Sequence, residues 1–373
     1  MKKIIYIIIA YLFYSCNENM SSGFIEIPVD IEQDASLPFS VIAEELIAIE
    51  LELTDESLIN SDRINRIIFS DNEVIIAEDF KIYVFSKEGK FLRTIGSRGQ
   101  GPGEYNLIMN FAFDKKNGLL FVNSSSFSAN GFSKILCYNL NGKFLKYHIM
   151  DQDKLPIMDI NFINDKLFII TENIRSIDSR VFCKHSVIYE LNNDFQIIDS
   201  IPIRDTYFGQ PGTSVGSYTE FLLPGETGVS LYFPEAASEM QEPLINILRD
   251  TLYILKNNCL IPDFKLNFKN NGIDNSGNKF ILISNIYRSS RYFFALYTDR
   301  LKWKSNFFCY DTKTGTGYNM QDGFTDDIKK TEKRIRIHPL NLNPEFFYYW
   351  HTHMNPDELE EPNPTLYIGK LKK

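Results

Sequence analysis

Along most of the chain, short apolar runs alternate with turn residues at strand spacing. Glu73-Val74-Ile75-Ile76-Ala77, Lys81-Ile82-Tyr83-Val84-Phe85 and Leu119-Leu120-Phe121-Val122 are typical, each bounded by Asn, Asp or Gly. Few windows sustain a 3.6-residue period, so the pattern predicts an all-β chain with short, rare helices. The runs also repeat. Tyr83 to Leu92 (YVFSKEGKFL) is echoed by Leu136 to Leu145 (LCYNLNGKFL), and more loosely by Val187 to Gln196. Weaker copies run from Leu252 to Phe268 and from Phe307 to Tyr318. A Gly or Asn turn between two such runs is a hairpin, and its return about every 50 residues is the period of a β-propeller blade. Five outer hairpins result. The strand Leu46 to Leu53 near the start and Thr365 to Leu371 near the end supply a sixth blade if they pair, which predicts a six-bladed β-propeller closed by its N- and C-terminal strands.

The first 40 residues depart from this pattern. Lys2 and Lys3 precede an apolar stretch from Ile4 to Phe13, too short to span a bilayer against the ~20 residues a helix needs. Ser15-Cys16 follows, then polar Asn17-Glu18-Asn19. A cysteine after a short apolar core resembles the lipobox of bacterial lipoproteins, in which that thiol is acylated. The expected organisation is therefore a signal peptide over 1–15, a flexible tether over 16–38 starting at lipid-bearing Cys16, and the propeller over 39–373.

Composition narrows the partners. The formal charge is −9 for the whole chain and −11 without residues 1–15, leaving 37 Lys and Arg against 48 Asp and Glu. Such a chain repels nucleic acid and anionic headgroups, so membrane attachment is assigned to the lipid. Cys137, Cys183, Cys259 and Cys309 stand singly in apolar segments, with no paired spacing for zinc or redox chemistry.

The densest local signal is Gly96-Ser97-Arg98-Gly99-Gln100-Gly101-Pro102-Gly103-Glu104-Tyr105, where an outer strand runs into a glycine-rich crossover. No Gly-Lys-Ser/Thr and no helix follow, which excludes a phosphate loop; the glycines and Pro102 suit a tight blade-to-blade join. With this crossover, the outer hairpin Phe85 to Phe91, Asp250-Thr251-Leu252-Tyr253, the stretch Gly323 to Ile328 and the ending Asn363-Pro364-Thr365-Leu366-Tyr367, the chain resembles the NHL-related six-bladed β-propeller lipoproteins of Bacteroidetes. That resemblance implies a lipid-anchored envelope protein, generally without an assigned activity. Lys329-Lys330 stands where the resemblance leads one to expect a glycine pair.

In a propeller, loops from each outer strand to the next inner strand share a face with those between the second and third strands, and ligands meet that face. It would carry Arg98, Glu104, Tyr105, Arg175, Tyr207 and Trp303. The aromatics suit stacking on sugar rings or bases, and Arg98 and Arg175 suit carboxylates. Glu104 reads first as an acceptor for backbone amides and second as a pocket carboxylate. His351 and His353, two apart on a strand, read first as part of a solvated loop or as a hydrogen-bonded pair, and second as ligands that Asp357 or Glu358 completes into a divalent-metal site. No nucleophile elbow or zinc-protease helix occurs in the sequence. The expected role is a binding module without catalysis or cofactor, holding a small molecule, glycan, peptide or envelope protein. The alternatives are a metal-assisted lyase or hydrolase at the channel mouth, and a scaffold in an envelope complex.

Overall fold

A computed structural model describes residues 24–125, 133–150, 156–209, 220–225, 228–234, 248–274, 279–331, 333–340, 343–352 and 362–373. Cys16, His353, Asp357 and Glu358 lie outside them.

The described chain is nearly all β, and most of its strands assemble into successive four-stranded antiparallel sheets, one of which gains a fifth, parallel strand. Sheet 1 spans Ile64–Phe69 to Phe91–Thr94, sheet 2 Leu107–Asp114 to Phe144–Ile149, and sheet 3 Ile157–Ile163 to Ile197–Phe208. Sheet 4 spans Leu222–Gly225 to Cys259–Phe268, sheet 5 Ile281–Arg288 to Thr316–Gln321, and sheet 6 begins at His338–Leu340 and reaches Thr365–Leu371. All five repeated hairpins are present. Their turns need the left-handed backbone that Gly supplies at Gly89 (φ +87°) and Gly142 (φ +82°).

Two N-terminal strands join sheets built from distant sequence. β1 (Ile25–Val29) pairs parallel with Cys259–Phe268 as the fifth strand of sheet 4, and β2 (Ala43–Glu50) pairs antiparallel with Thr365–Leu371 as the outer strand of sheet 6. β1 corrects the expected tether. Ile27 and Val29 are buried in the core, and the following residues strap sheet 5: Gln33 and Asp34 hold Asn319 and Gln321, while the Ala35 amide donates to the Asn319 carbonyl. Ordering this segment costs backbone entropy that two fully buried aliphatic side chains, at ~1.5–3 kcal/mol each, help to offset.

Each apolar cluster fills one interface between neighbouring sheets. Ile75 and Val84 of sheet 1 pack with Phe111 and Leu136 of sheet 2. Ile135 of sheet 2 meets Ile169 of sheet 3, Ile188 of sheet 3 meets Val229 of sheet 4, and Phe264 of sheet 4 stacks on Phe293 of sheet 5 at 4.3 Å. Tyr287 and Phe294 of sheet 5 share a cluster with Phe347 and Tyr349 of sheet 6. Ile49 and Leu366 of sheet 6 pack with Ile67 and Phe85 of sheet 1. Period-2 alternation places these residues between sheets, because inner strands such as Ile64–Phe69 and Glu73–Glu78 bury both faces.

The link from sheet 6 to sheet 1 is also polar. Asn363 donates to the carbonyls of Glu52 and Ser57 and accepts from the Ile59 amide, fixing the segment between β2 and sheet 1.

Candidate functional site

Polar residues gather in two places, one buried and one exposed. The buried group sits on the first strands of the sheets. In sheets 1, 2, 3 and 5 that strand carries a bulge, with Asn65, Met109, Met158 and Ser284 as the extra residues. The residue after each bulge is polar and buried: Arg66, Asn110, Asp159 and Asn285. A bulge re-aims the side chains that follow it, here out of the apolar alternation.

Arg66 joins three sheets. Its Nη1 donates to the carbonyls of Phe111 (2.7 Å) and Ile160 (2.9 Å), and its Nη2 donates to Asp159 Oδ1 at 2.6 Å. Asp159 also accepts from the amides of Ile160 and Phe221 and from Asn161 Nδ2. Around them, Asn110 Nδ2 reaches the Met158 carbonyl and Asn123 Nδ2 the Ile157 carbonyl. Glu220 completes the group 3.4 Å from Arg66 Nε, with its Oε1 accepting no hydrogen bond. Burial pushes Glu220 up to about 7, against the pull of Arg66 and with help from the Asp159 charge. A cavity beside Arg66 and Asn161 has room for about one water. This group is fold-holding: one cation is used up by carbonyls and carboxylates of the chain itself. The sequence signal was a polar residue recurring inside otherwise apolar first strands, as in Ile64-Asn65-Arg66-Ile67 and Met158-Asp159-Ile160-Asn161.

The exposed group sits on sheet 3, whose central strands outrun its first strand. Pairing with Ile157–Ile163 stops at Thr171, yet Lys166–Ser176 and Phe182–Leu191 stay paired to Ser176 and Phe182. Five residues therefore project, roughly 16 Å at strand rise. On one face of this projection Arg175, Cys183 and Tyr207 lie side by side, with Asn173, His185 and Asp205 in the next row. His185 Nδ1 and Asp205 Oδ1 are 2.6 Å apart, and Arg175 Nη2 is 3.9 Å from Asp205 Oδ2. Arg175, His185, Asp205 and Tyr207 all reach solvent, Tyr207 with 42% of its surface exposed. Cys183 is buried beneath them; burial and the Asp205 charge push its thiol up, which suits a floor and not a nucleophile. Arg175 and Tyr207 are sequence candidates expected on connecting loops, and both stand instead in paired strands; His185 and Asp205 were not candidates, because only strand register brings them into the same patch.

The other expected residues are dispersed. Tyr105 is core: its ring packs between sheets 1 and 2, its hydroxyl donates to the Ile95 carbonyl, and burial pushes it up to about 12. Glu104 accepts from the Gly101 amide at 2.8 Å, while its carbonyl and that of Gly101 hold Lys134 Nζ. A Cβ at Gly99 would stand 2.0 Å from Glu104 Oε2, so the crossover's glycine serves close packing. Arg98 lies over the Phe80 ring at 4.3 Å. Trp303 is a hairpin tip on sheet 5 with φ +51° and 76% exposure, apart from the sheet 3 patch. His351 lies against the rings of Tyr349 and Tyr367. Among the described residues no three His, Cys, Asp or Glu converge as metal ligands.

Comparison with known proteins places this architecture. A crystal structure of a protein assigned as exported, from Bacteroides fragilis, aligns at a TM-score of 0.62 and 18% identity, covering 94% of this chain and 100% of that one. At that identity the likeness is one of fold alone. A duf4221 family member from Bacteroides vulgatus aligns at 0.46 and 10% identity, over 88% of this chain and 97% of that one. The Neurospora crassa Pan2 WD40 domain aligns at 0.38 and 11%, over 83% and 76%. No curated protein matches the chain. The match that spans residues 23–372, almost the whole described fold, is to the domain of unknown function DUF4934, and the chain belongs to that family.

Proposed function

We propose that the chain is a six-bladed, NHL-related β-propeller, anchored at the cell envelope through a lipid on Cys16, that binds a carboxylate-bearing sugar on the projecting end of sheet 3. The ring is supported by the apolar clusters, which link each sheet to the next and the last to the first. Export is supported by the Bacteroides fragilis protein of like fold, which is assigned as exported. Among the described residues no helix is long and apolar enough to cross a membrane.

The ligand class rests on one observation: Arg175 and Tyr207, both exposed, flank a small buried residue, Cys183, in one cross-strand row. Two strand spacings separate them, roughly 9–10 Å, a span that takes one sugar ring. Tyr207 offers an aromatic face, Arg175 a guanidinium that matches a carboxylate, and the His185–Asp205 pair a hydroxyl partner. Titration calorimetry with uronic-acid oligosaccharides and their neutral counterparts tests this. Binding of the acidic set alone, lost on Arg175→Ala, is expected; equal binding of both sets, or of neither, refutes the assignment.

A further inference from the structure

β1 is an edge strand fixed by its register with the outer strand of sheet 4, from Ile25 opposite Phe264 to Val29 opposite Phe268. Its start therefore has a defined place on the rim of the molecule. From Ile25 back to Cys16 there are nine residues, which span at most ~30 Å even when fully extended. A folded body of this length has a radius of gyration of about 20 Å and measures about 50 Å across. The reach is shorter than the body. Where the chain leaves the rim, Phe24 and Ile25 are 47% and 43% exposed, two consecutive apolar side chains of the kind that surface-bound segments bury at the headgroup/acyl boundary.

We infer that the rim of sheet 4 at β1 is the membrane-facing surface of the molecule, with Phe24 and Ile25 set into the phospholipid headgroup layer. The inference rests on the reading that Cys16 carries the lipid. The occupant is a zwitterionic lipid surface, because an acidic body is repelled by an anionic one. Sheet 1, which is three sheets away in either direction around the proposed ring, faces away from the bilayer, and the loop face that carries the sheet 3 projection lies to the side. A ligand then arrives parallel to the membrane.

The test separates geometry from acylation. A diacylglyceryl-cysteine is ligated to the chain beginning at Asn17, the product is placed on phosphatidylcholine vesicles, and amide exchange is compared with the unlipidated chain. Exchange at least about threefold slower in 24–29 and 259–268, with no change in the sheet 1 hairpin 87–94, is expected. The double variant Phe24→Ser, Ile25→Ser, which alters only exposed side chains, is expected to lose most of that slowing. Slowing in 87–94, or no difference between 259–268 and 87–94, overturns the inference. Mass spectrometry of the N-terminal peptide from native envelopes tests acylation separately: an unmodified Cys16 removes the anchor while the ligated lipid still reports on the surface.

Discussion

The Arg66 group and the sheet 3 patch use the same residue types to opposite ends. In the first, a guanidinium between Asp159 and Glu220 is 3% exposed and gives its Nη donors to the chain's own oxygens. In the second, Arg175 stands 3.9 Å from Asp205 with more than half its side chain in solvent. The first arrangement commits both Nη groups to the chain and ties three sheets together. The second keeps its guanidinium, its tyrosine ring and the His185–Asp205 pair in contact with solvent. Residue identity does not separate structure from recognition here; the number of internal partners does.

That contrast breaks most directly at Arg66. Arg66→Met removes the cation while Asp159 and Glu220 stay buried, and is expected to cost about 3–5 kcal/mol in urea unfolding. A loss below about 1 kcal/mol would show the group to be ornamental and the contrast empty. Next comes Glu220. Its carboxyl titrates near 7 in the folded chain against an ordinary 4.5, so between those values the folded chain keeps a proton that the unfolded chain has released. Stability should therefore fall as pH rises from 4.5 to about 7, by up to about 3 kcal/mol, and level off above. Subtracting the pH profile of Glu220→Gln isolates this slope; superimposable profiles would remove Glu220 from the account.

Asn363 extends the comparison to another buried node. Asn363→Ala strips three hydrogen bonds from the junction between sheet 6 and sheet 1 and should cost about 1–3 kcal/mol, read as a lowered melting temperature. At the exposed end, Arg175→Ala and Tyr207→Ala should each shift stability by less than about 0.5 kcal/mol. A larger loss would move the patch into the structural class and weaken the case for a ligand there.

What the sequence revealed follows the range of the interactions. The five hairpins were legible because a Gly or Asn turn and its flanking alternation are written within ten residues, as at Phe85 to Phe91. The pairing of β2 with Thr365–Leu371 was legible because strands at both ends lacked partners. β1 was not. Its partner lies some 240 residues downstream, and the acidic, Ser- and Pro-containing stretch that follows Val29 has the composition of a linker. The Arg66 group was missed for a related reason: a bulge is a property of two paired strands, so Asn65-Arg66 reads as an interruption until Ala77 is seen opposite Arg66. On sheet 3, Arg175 and Tyr207 stood out as single residues, while the His185–Asp205 contact exists only through register.

The pairing of β2 with Thr365–Leu371 also sets an order of events. The earliest strand of sheet 6 to leave the ribosome must wait more than 300 residues for its partner. Contacts this distant form slowly, since loop closure comes before any gain from pairing. Until then Ile49 and the sheet 1 residues Ile67 and Phe85 lack Tyr348 and Leu366, the sheet 6 side chains of their cluster. Sheet 6 therefore cannot be completed until Thr365–Leu371 has been made, however early the other sheets form.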